Sequence, residues 1–255
     1  MLAIERRRRI IDILKEEKYV PVDELSKMIN ASIATVRRDL TKLENDGVLL
    51  KIRGGATLSD RSKSEISFQK RMNVNTEEKK MIAKKAIEFI QEGDVIILDA
   101  GTTTFFIAKE IISMKINVTI ITNSLMIAKE TANYPDFDLI FIGGKFDWKN
   151  MATIGSSAIN FVSDLSVDKA FIGANGFDAI HGAMAFGEDN AVLNKMMANT
   201  AKQVFIVSDS SKIGKSAFFT SVPIEMIDVL ITNEVSDDGL IKVLEDKGIK
   251  IEIAR

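Results

Sequence analysis

The sequence contains no cysteine and few of the other residues that often mark a reactive site. Its 255 residues include one histidine, one tryptophan and three prolines. Without cysteine the chain cannot form disulfides, thiolate metal sites or a cysteine nucleophile. The single histidine, His181, argues against a histidine-based triad or metal site, and we expect it in a loop. No cofactor is predicted.

Long apolar runs are also missing. No run approaches the roughly 18–20 residues that span a bilayer, so no membrane partner is expected. The basic run Arg6 to Arg9 is not followed by an apolar core and a cleavage site, so it does not resemble a signal peptide. With 46% hydrophobic and 27% charged residues the composition is globular, and we expect a cytoplasmic location.

The net charge of −2 is unevenly distributed. Residues 1–60 carry 12 Lys and Arg against 10 Asp and Glu, whereas the rest of the chain carries 22 against 26. A surplus of two is modest for a nucleic-acid-binding segment, so any such function depends on where the cations lie. For Arg6 to Arg9, a solvated helix face and contacts to phosphate are equally good interpretations.

The most informative segment is 32–56, with the sequence SIATVRRDLTKLENDGVLLKIRGGA. Ser32 suits the N-cap of a helix that Gly47 ends. Polar and cationic side chains point outward from this helix. Its apolar residues have helical spacing and predict one buried face: Ile33, Val36, Leu40 and Leu43.

Three helices and a small β-wing are predicted before residue 60. Helices over Ile4–Glu17 and Val22–Ile29 precede the helix capped by Ser32, and strand 48–52 with the turn 53–56 forms the wing. This is a winged helix-turn-helix plan, and double-stranded operator DNA is the expected partner. The residues expected to contact DNA are Ser32, Ala34, Thr35, Arg37, Arg38, Lys42, Arg53, Gly54 and Gly55.

We assign residues 1–57 to this domain, 58–75 to a linker in which 67–72 packs on a neighbour, and 76–255 to a second domain. The second domain alternates short apolar runs with helices, which predicts an α/β fold with a doubly wound, mostly parallel sheet. Trp148 and the pair Met196–Met197 are expected to be packing residues. The predicted strands are Val95–Leu98, Val118–Thr122, Leu139–Ile142, Lys169–Ile172, Gln203–Val207 and Val229–Thr232.

Small and polar residues follow five of these strands, at the edge where such sheets bind ligands. Hydroxyl and backbone N–H groups suit a phosphate, and Lys212 adds a positive charge. Each motif also has a structural interpretation: Asp99 and the threonines as helix caps, the paired glycines as a turn. Their recurrence favours a small polar ligand. The candidate residues are Asp99, Gly101, Thr102, Thr103, Thr104, Asn123, Ser124, Gly143, Gly144, Asn175, Gly176 and Lys212.

Both halves resemble the DeoR family of bacterial transcriptional regulators over nearly the whole chain. The resemblance lies in residues 35–40, the wing 54–56, DAGTTT at 99–104, TNS at 122–124 and DSSK at 209–212. It implies a sensor domain with the fold of ribose-phosphate isomerases and glucosamine-phosphate deaminases. It also implies a phosphorylated sugar or related metabolite as effector, and repression of carbohydrate catabolism genes.

The chain departs from the family pattern at several positions. Asn190 and Asn194 stand where the family usually has an acidic residue and a lysine. Asn175 replaces a common Asp, and Arg53 replaces a frequent wing His. The rim of the pocket has therefore lost charges.

Three functions follow from these observations. The first is a metabolite-controlled DNA-binding repressor that acts as a homodimer or homotetramer and is not an enzyme. The second is a sugar-phosphate isomerase-like enzyme with a DNA-binding head, with Asp99, Asp178 or Glu188 as the base. The third is a protein-interaction module with a vestigial pocket.

Overall fold

The structure, a computed structural model, describes residues 3–17, 19–45, 49–52, 54–58, 67–235 and 237–255. The chain divides into two compact units, Met1–Glu65 and Ile66–Arg255. Gly47 and Arg53, which the sequence assigned to a helix end and to the wing, lie outside the described residues. None of the described helices combines the length and apolar character needed to cross a bilayer.

The first unit has the predicted winged helix-turn-helix architecture. The segment 19–21, between the first two predicted helices, is a strand that pairs with the wing, so the wing has three antiparallel strands in the order β1-β3-β2. The elements are α1 (Ala3–Glu17), β1 (Tyr19–Pro21), α2 (Val22–Met28), α3 (Ile33–Asn45), β2 (Leu49–Ile52) and β3 (Gly55–Leu58).

Helix α3 buries a narrower face than its apolar spacing predicted. Val36 and Leu40 are fully buried and Leu43 nearly so, but Ile33 is 44% exposed. The prediction for Ile33 was wrong because the residue lies in the first turn, at the margin of the buried stripe. Asp39 completes the stripe, although it is charged, because Arg6 of α1 pairs with it.

The second unit is built on seven parallel strands in the order β15-β14-β12-β9-β4-β5-β6, which confirms the predicted α/β class. The order reverses between β4 and β9, because β5 and β6 extend the sheet on one side and β12, β14 and β15 on the other. The strands are β4 (Val95–Leu98), β5 (Thr119–Thr122), β6 (Asp138–Phe141), β9 (Val167–Gly173), β12 (Ala201–Val207), β14 (Val229–Thr232) and β15 (Lys250–Ile253).

Helices cover both faces of this sheet, and successive strand residues enter different cores. Ile96 and Leu98 pack in one core, whereas Ile97 packs in the other, as the two-residue period of a strand requires. The helices are α4 (Phe68–Met72), α5 (Thr76–Ile87), α6 (Thr102–Met114), α7 (Leu125–Thr131), α8 (Ser156–Ser163), α9 (Glu188–Asn199) and α10 (Asp238–Asp246).

Two small antiparallel sheets, which the sequence did not predict, flank the main one. Trp148 lies between β7 and β8; its ring meets Phe146 edge-on but is 79% exposed, so it is not the buried packing residue that we expected. Met197 is fully buried, as predicted. The added strands are β7 (Lys145–Asp147), β8 (Ala152–Ile154), β10 (Gly176–Asp178), β11 (Gly182–Ala185) and β13 (Phe219–Val222).

Residues 67–75, assigned to a linker from the sequence, contribute to the second unit. Phe68 of α4 is 1% exposed and meets Phe105 of α6 edge-on, with 6.2 Å between ring centroids. The backbone N–H of Phe68 donates to the carbonyl of Lys149. Helix α4 is thus anchored in the unit, which begins upstream of residue 76.

Candidate functional site

The first candidate surface is the exposed side of α3. Ala34, Arg37, Arg38 and Lys42 are exposed there, and Thr35 is half-buried. The Ser32 hydroxyl accepts the backbone N–H of Thr35 at 3.2 Å, which confirms its role as the N-cap. The N-terminal turn and the cationic side of α3 therefore face solvent. In helix-turn-helix proteins, the N-terminal residues of the recognition helix contact the base edges.

An ion pair fixes α3 against α1. The Nε of Arg6 donates to Asp39 Oδ2 at 2.5 Å, and Arg7 Nε lies 3.8 Å from Oδ1. The side chains of Arg6 and Asp39 are only 16% and 8% exposed. Arg6 thus packs between α1 and α3, whereas the sequence suggested a solvated helix face or contacts to phosphate. Arg8 and Arg9 are exposed.

The two glycines of the wing are each required there for a different structural reason. Gly54 has a φ of +84°, which favours glycine in the turn. A Cβ on Gly55 would lie 2.6 Å from the Tyr19 ring and from the Val20 carbonyl, so β3 can approach β1 only without a side chain there. Lys51 then ties the wing to α3, because its Nζ lies 2.8 Å from Glu44 and donates to Thr41.

The second candidate site is the crevice where the strand order reverses, at the carboxyl ends of β4 and β9. Asp99 follows β4 and joins the two strand ends. Its carboxylate accepts the N–H of Gly101 at 3.1 Å, the hydroxyl of Thr104 at 2.9 Å and the N–H of Gly173 at 3.0 Å. Asp99 and Thr104 are therefore used in building the crevice floor.

Helix α6 begins directly above this floor. Gly101 precedes it, and a Cβ there would lie 2.9 Å from Asp99 Oδ1. The first N–H groups of a helix have no partner within it, and its N-terminal end favours an anion. The hydroxyls of Thr102 and Thr103 lie in this first turn, so the turn can donate hydrogen bonds to a phosphate.

The residues after β5 and β6 are placed differently. Ser124 caps α7 by accepting the N–H of Ile127. Asn123 donates to the carbonyl of Thr153, and its buried Oδ1 has no hydrogen-bond donor among the described residues. Gly144 has a structural reason, because a Cβ there would lie 2.6 Å from the Ile154 carbonyl, whereas Gly143 is exposed with open space around it.

The β9 side of the crevice combines packing and polar groups. A Cβ on Gly176 would lie 2.4 Å from the Lys215 carbonyl, so this glycine is needed for close packing. Asn175 is half-buried, and its backbone N–H bonds to Met184. On α9, Asn194 is 8% exposed and Asn190 is half-buried. The three positions that depart from the family thus present amides rather than charges.

The loop after β12 carries the predicted cation. Asp209 is buried and accepts hydrogen bonds from Asn75 and from Ser211, which holds Lys212 at the end of a short turn. Burial lowers the pKa of Lys79 of α5; the negative charge of Asp209 opposes this shift, and the positive charge of Lys212 adds to it. Lys79 and Asn75 could not be identified from the sequence, because no local pattern links them to residue 209.

The pH dependence of the free energy of unfolding should reveal the effect of the buried Asp99 carboxyl group. Burial raises the pKa of Asp99, although hydrogen bonds from Gly173, Thr104 and Gly101 oppose the shift. A carboxyl with a raised folded-state pKa stabilises the fold at acid pH, and this contribution is lost as pH rises through that pKa. The free energy of unfolding of the wild type, relative to Asp99→Asn, should therefore decrease as pH rises above the ordinary Asp value of 3.8.

Urea unfolding followed by circular dichroism from about pH 4 to about pH 8 measures this difference. Asp136→Asn, at an exposed aspartate of the same unit, is the matched control. Parallel stability profiles for the wild type and Asp99→Asn would contradict the assignment.

Together, a winged helix-turn-helix with an exposed cationic helix and a separate α/β unit define a DNA-binding transcriptional regulator. The chain belongs to the DeoR family. Residues 6–62 match the DeoR-like helix-turn-helix domain, and residues 74–234 match the DeoR C terminal sensor domain.

Relatives support the same class. The chain is 36% identical to the uncharacterized HTH-type transcriptional regulator YulB of Bacillus subtilis and 32% identical to the HTH-type transcriptional repressor GlcR of the same organism; each match covers 98% of this chain and 96% of the relative. It is 29% identical to the glycerol-3-phosphate regulon repressor of Escherichia coli, over 99% of this chain and all of the relative. A ribose 5-phosphate isomerase A structure from Methanocaldococcus jannaschii is 21% identical, covers 55% of this chain and 56% of its own, and has a TM-score of 0.41.

Proposed function

We propose that this protein is a sequence-specific repressor of carbohydrate catabolism genes whose DNA binding is controlled by a phosphorylated sugar or related metabolite. The observation that carries the proposal is the division of α3. One face, with Asp39, is fixed to α1, and the other exposes Thr35, Arg37 and Arg38. Such a repressor works in the cytoplasm, where the operator DNA lies.

The DNA contacts follow from this division. Arginine can bind guanine with two hydrogen bonds in the major groove, and an exposed apolar side chain can contact the methyl group of thymine. Arg37 and Arg38 offer the first kind of contact and Ile33 the second. The wing, with Gly54 and Gly55, approaches the sugar-phosphate backbone. A single head has few cations, so two heads of a homodimer or homotetramer would bind paired half-sites.

The effector would bind in the crevice between the ends of β4 and β9. The first turn of α6 donates hydrogen bonds to the phosphate, Lys212 supplies charge, and Asn123 and Asn175 hydrogen-bond the hydroxyls of the sugar. The asparagines at 175, 190 and 194 make this rim less charged than in the family, which favours an effector with few charges besides its phosphate. A ligand that prefers one of two protein states then shifts the affinity for DNA.

The buried geometry favours a regulator over an isomerase-like enzyme. An isomerase needs a carboxylate that can take a proton from the sugar carbon. Asp99 is buried and already accepts three hydrogen bonds. Asp178 is held by the backbone of Ile180 and by His181 in the turn between β10 and β11, and Glu188 is exposed at the start of α9.

Operator selection with the full-length protein tests the proposal. Random duplexes retained by the protein should share a half-site repeated about one helical turn apart. Fluorescence anisotropy on the selected duplex should show an affinity that falls steeply with salt and changes when ribose 5-phosphate, glucose 6-phosphate or glycerol 3-phosphate is added. Recovery of no shared sequence would contradict the DNA-binding part, and turnover of any of the three compounds would favour the enzyme.

A further inference from the structure

Helix α4 lies beside the first turn of α6, where the effector's phosphate is expected. Phe68, at the start of α4, packs edge-on against Phe105, the residue that follows the threonines of α6. Arg71 comes three residues after Phe68, so the two side chains project from the same side of α4. Arg71 is half-buried, and its positive charge is the weakest of the influences that oppose the rise in the pKa of Asp99 caused by burial in the crevice floor. The guanidinium is therefore within electrostatic reach of that floor.

The turn that carries Arg71 is held by buried polar contacts. The ammonium of Lys79, only 4% exposed, donates to the carbonyl of Arg71 at 2.5 Å and to that of Val74. Asn75, in the left-handed region with a φ of +49°, donates to Asp209 Oδ1 at 2.9 Å. Burying a lysine is costly unless its hydrogen bonds are made, so this turn is fixed rather than loosely attached.

These contacts place the turn above three neighbouring strands. Asp209 follows β12 and Asp99 follows β4, and β9 lies between these strands in the sheet. The turn is bonded to the β12 loop through Asn75, and α4 packs on the helix that follows β4. Arg71 and Lys212 are therefore carried by segments that are distant in sequence but meet at this end of the sheet.

We propose that Arg71 binds the anionic group of the effector, so that α4 is part of the effector site. This inference rests on the proposed function. A guanidinium offers a planar pair of donors that fits two oxygens of a phosphate, and such charge-assisted pairs are among the strong hydrogen bonds. Lys212 and the first turn of α6 contribute further charge and donors.

The location of Arg71 gives this contact a regulatory meaning. Helix α4 begins at residue 68, just after the boundary between the two units at residue 66. A ligand held by Arg71 thus contacts a helix of the sensor that follows the DNA-binding unit closely in sequence.

The test compares Arg71→Gln with Lys70→Gln, which removes a positive charge from an exposed position of the same helix. Thermal-shift and calorimetric titrations of the full chain would use ribose 5-phosphate, glucose 6-phosphate, glycerol 3-phosphate, inorganic phosphate and the unphosphorylated compounds. For the phosphorylated probe that the wild type binds, Arg71→Gln should raise the dissociation constant by about 10- to 100-fold. This is the usual value of a charge-assisted hydrogen bond. Lys70→Gln should bind as the wild type does.

Two further measurements separate binding from folding. The melting temperature without ligand identifies any general damage, and Arg71→Lys, which keeps the charge but not the fork, should lose less affinity than Arg71→Gln. If Arg71→Gln binds the phosphorylated probe as tightly as Lys70→Gln, the inference is wrong and the proposed function stands. If the wild type binds none of the phosphorylated probes, the proposed effector class is wrong and the inference falls with it.

Discussion

Replacing Arg37 and Arg38 together with alanine should reduce operator affinity by at least about 30-fold. Each well-formed arginine–base contact is worth about 1–3 kcal/mol, so the loss of two corresponds to about 2–6 kcal/mol. Both side chains are exposed on α3, and the buried face of the helix does not depend on them. The DNA-binding unit should therefore remain folded while its affinity falls.

Anisotropy titrations on the selected operator and on a scrambled duplex would measure this effect. Loss of base contacts removes the preference for the operator, whereas loss of phosphate contacts weakens both duplexes and reduces the salt slope by about one per contact. Lys242→Ala with Lys247→Ala removes two exposed cations from the second unit and is the matched control. Retention of full operator affinity by the arginine double variant would refute the DNA-binding role of α3.

Asp39→Ala should strongly destabilise the DNA-binding unit and leave the stability of the sensor unchanged. Removing one partner of a buried ion pair costs about 3–5 kcal/mol, because the other charge stays buried without its partner. Arg6 and Asp39 form an ion pair at 2.5 Å whose side chains are 16% and 8% exposed, so the cost is expected near the lower end of this range, about 3 kcal/mol. A unit of about 65 residues has a total stability of roughly 3–10 kcal/mol, so this loss removes from about a third to all of it.

Hydrogen exchange read peptide by peptide can follow the two units separately. Exchange should become fast in residues 1–58 of Asp39→Ala and stay slow in the sheet of the second unit. Glu16→Ala removes an exposed carboxylate of α1 and should change nothing. Arg6→Met with Asp39→Leu, which removes both charges, should recover much of the protection, since a buried pair can be replaced by apolar residues at little cost. Unchanged protection in Asp39→Ala would show that the pair does not hold the unit together.

Local patterns predicted much of the fold. Hydrophobic periodicity located the three helices of the first unit and six strands of the main sheet, and Ser32 was predicted as a helix cap from its residue type alone. Ile33 shows the limit of this reasoning, because periodicity does not tell where a buried stripe ends along a helix. No local pattern predicted that Trp148 lies on the surface, since composition favours packing for a lone tryptophan.

The candidate site was less predictable because its contacts join distant segments. The sequence placed Asp99 and Thr104 near a ligand, but their hydrogen bonds to each other and to Gly173 depend on strand order. Arg71 and Lys79 lie in or next to a segment that lacks a clear pattern, and only their packing against the sheet identifies them. The predicted contacts of the candidate residues with DNA and with an effector remain predictions.

The crevice that contains the Asp99–Gly173 hydrogen bond can form only late in the synthesis of the chain. It joins residues 74 positions apart, and the strands on one flank of β9 come later still in the chain. At a ribosomal rate of roughly 5–20 residues per second, the sensor is completed about 10–40 s after the head has emerged. A nascent chain therefore carries a finished DNA-binding head before its crevice exists. Premature termination after the first unit would leave a DNA-binding unit without the sensor, so no metabolite could control its binding to DNA.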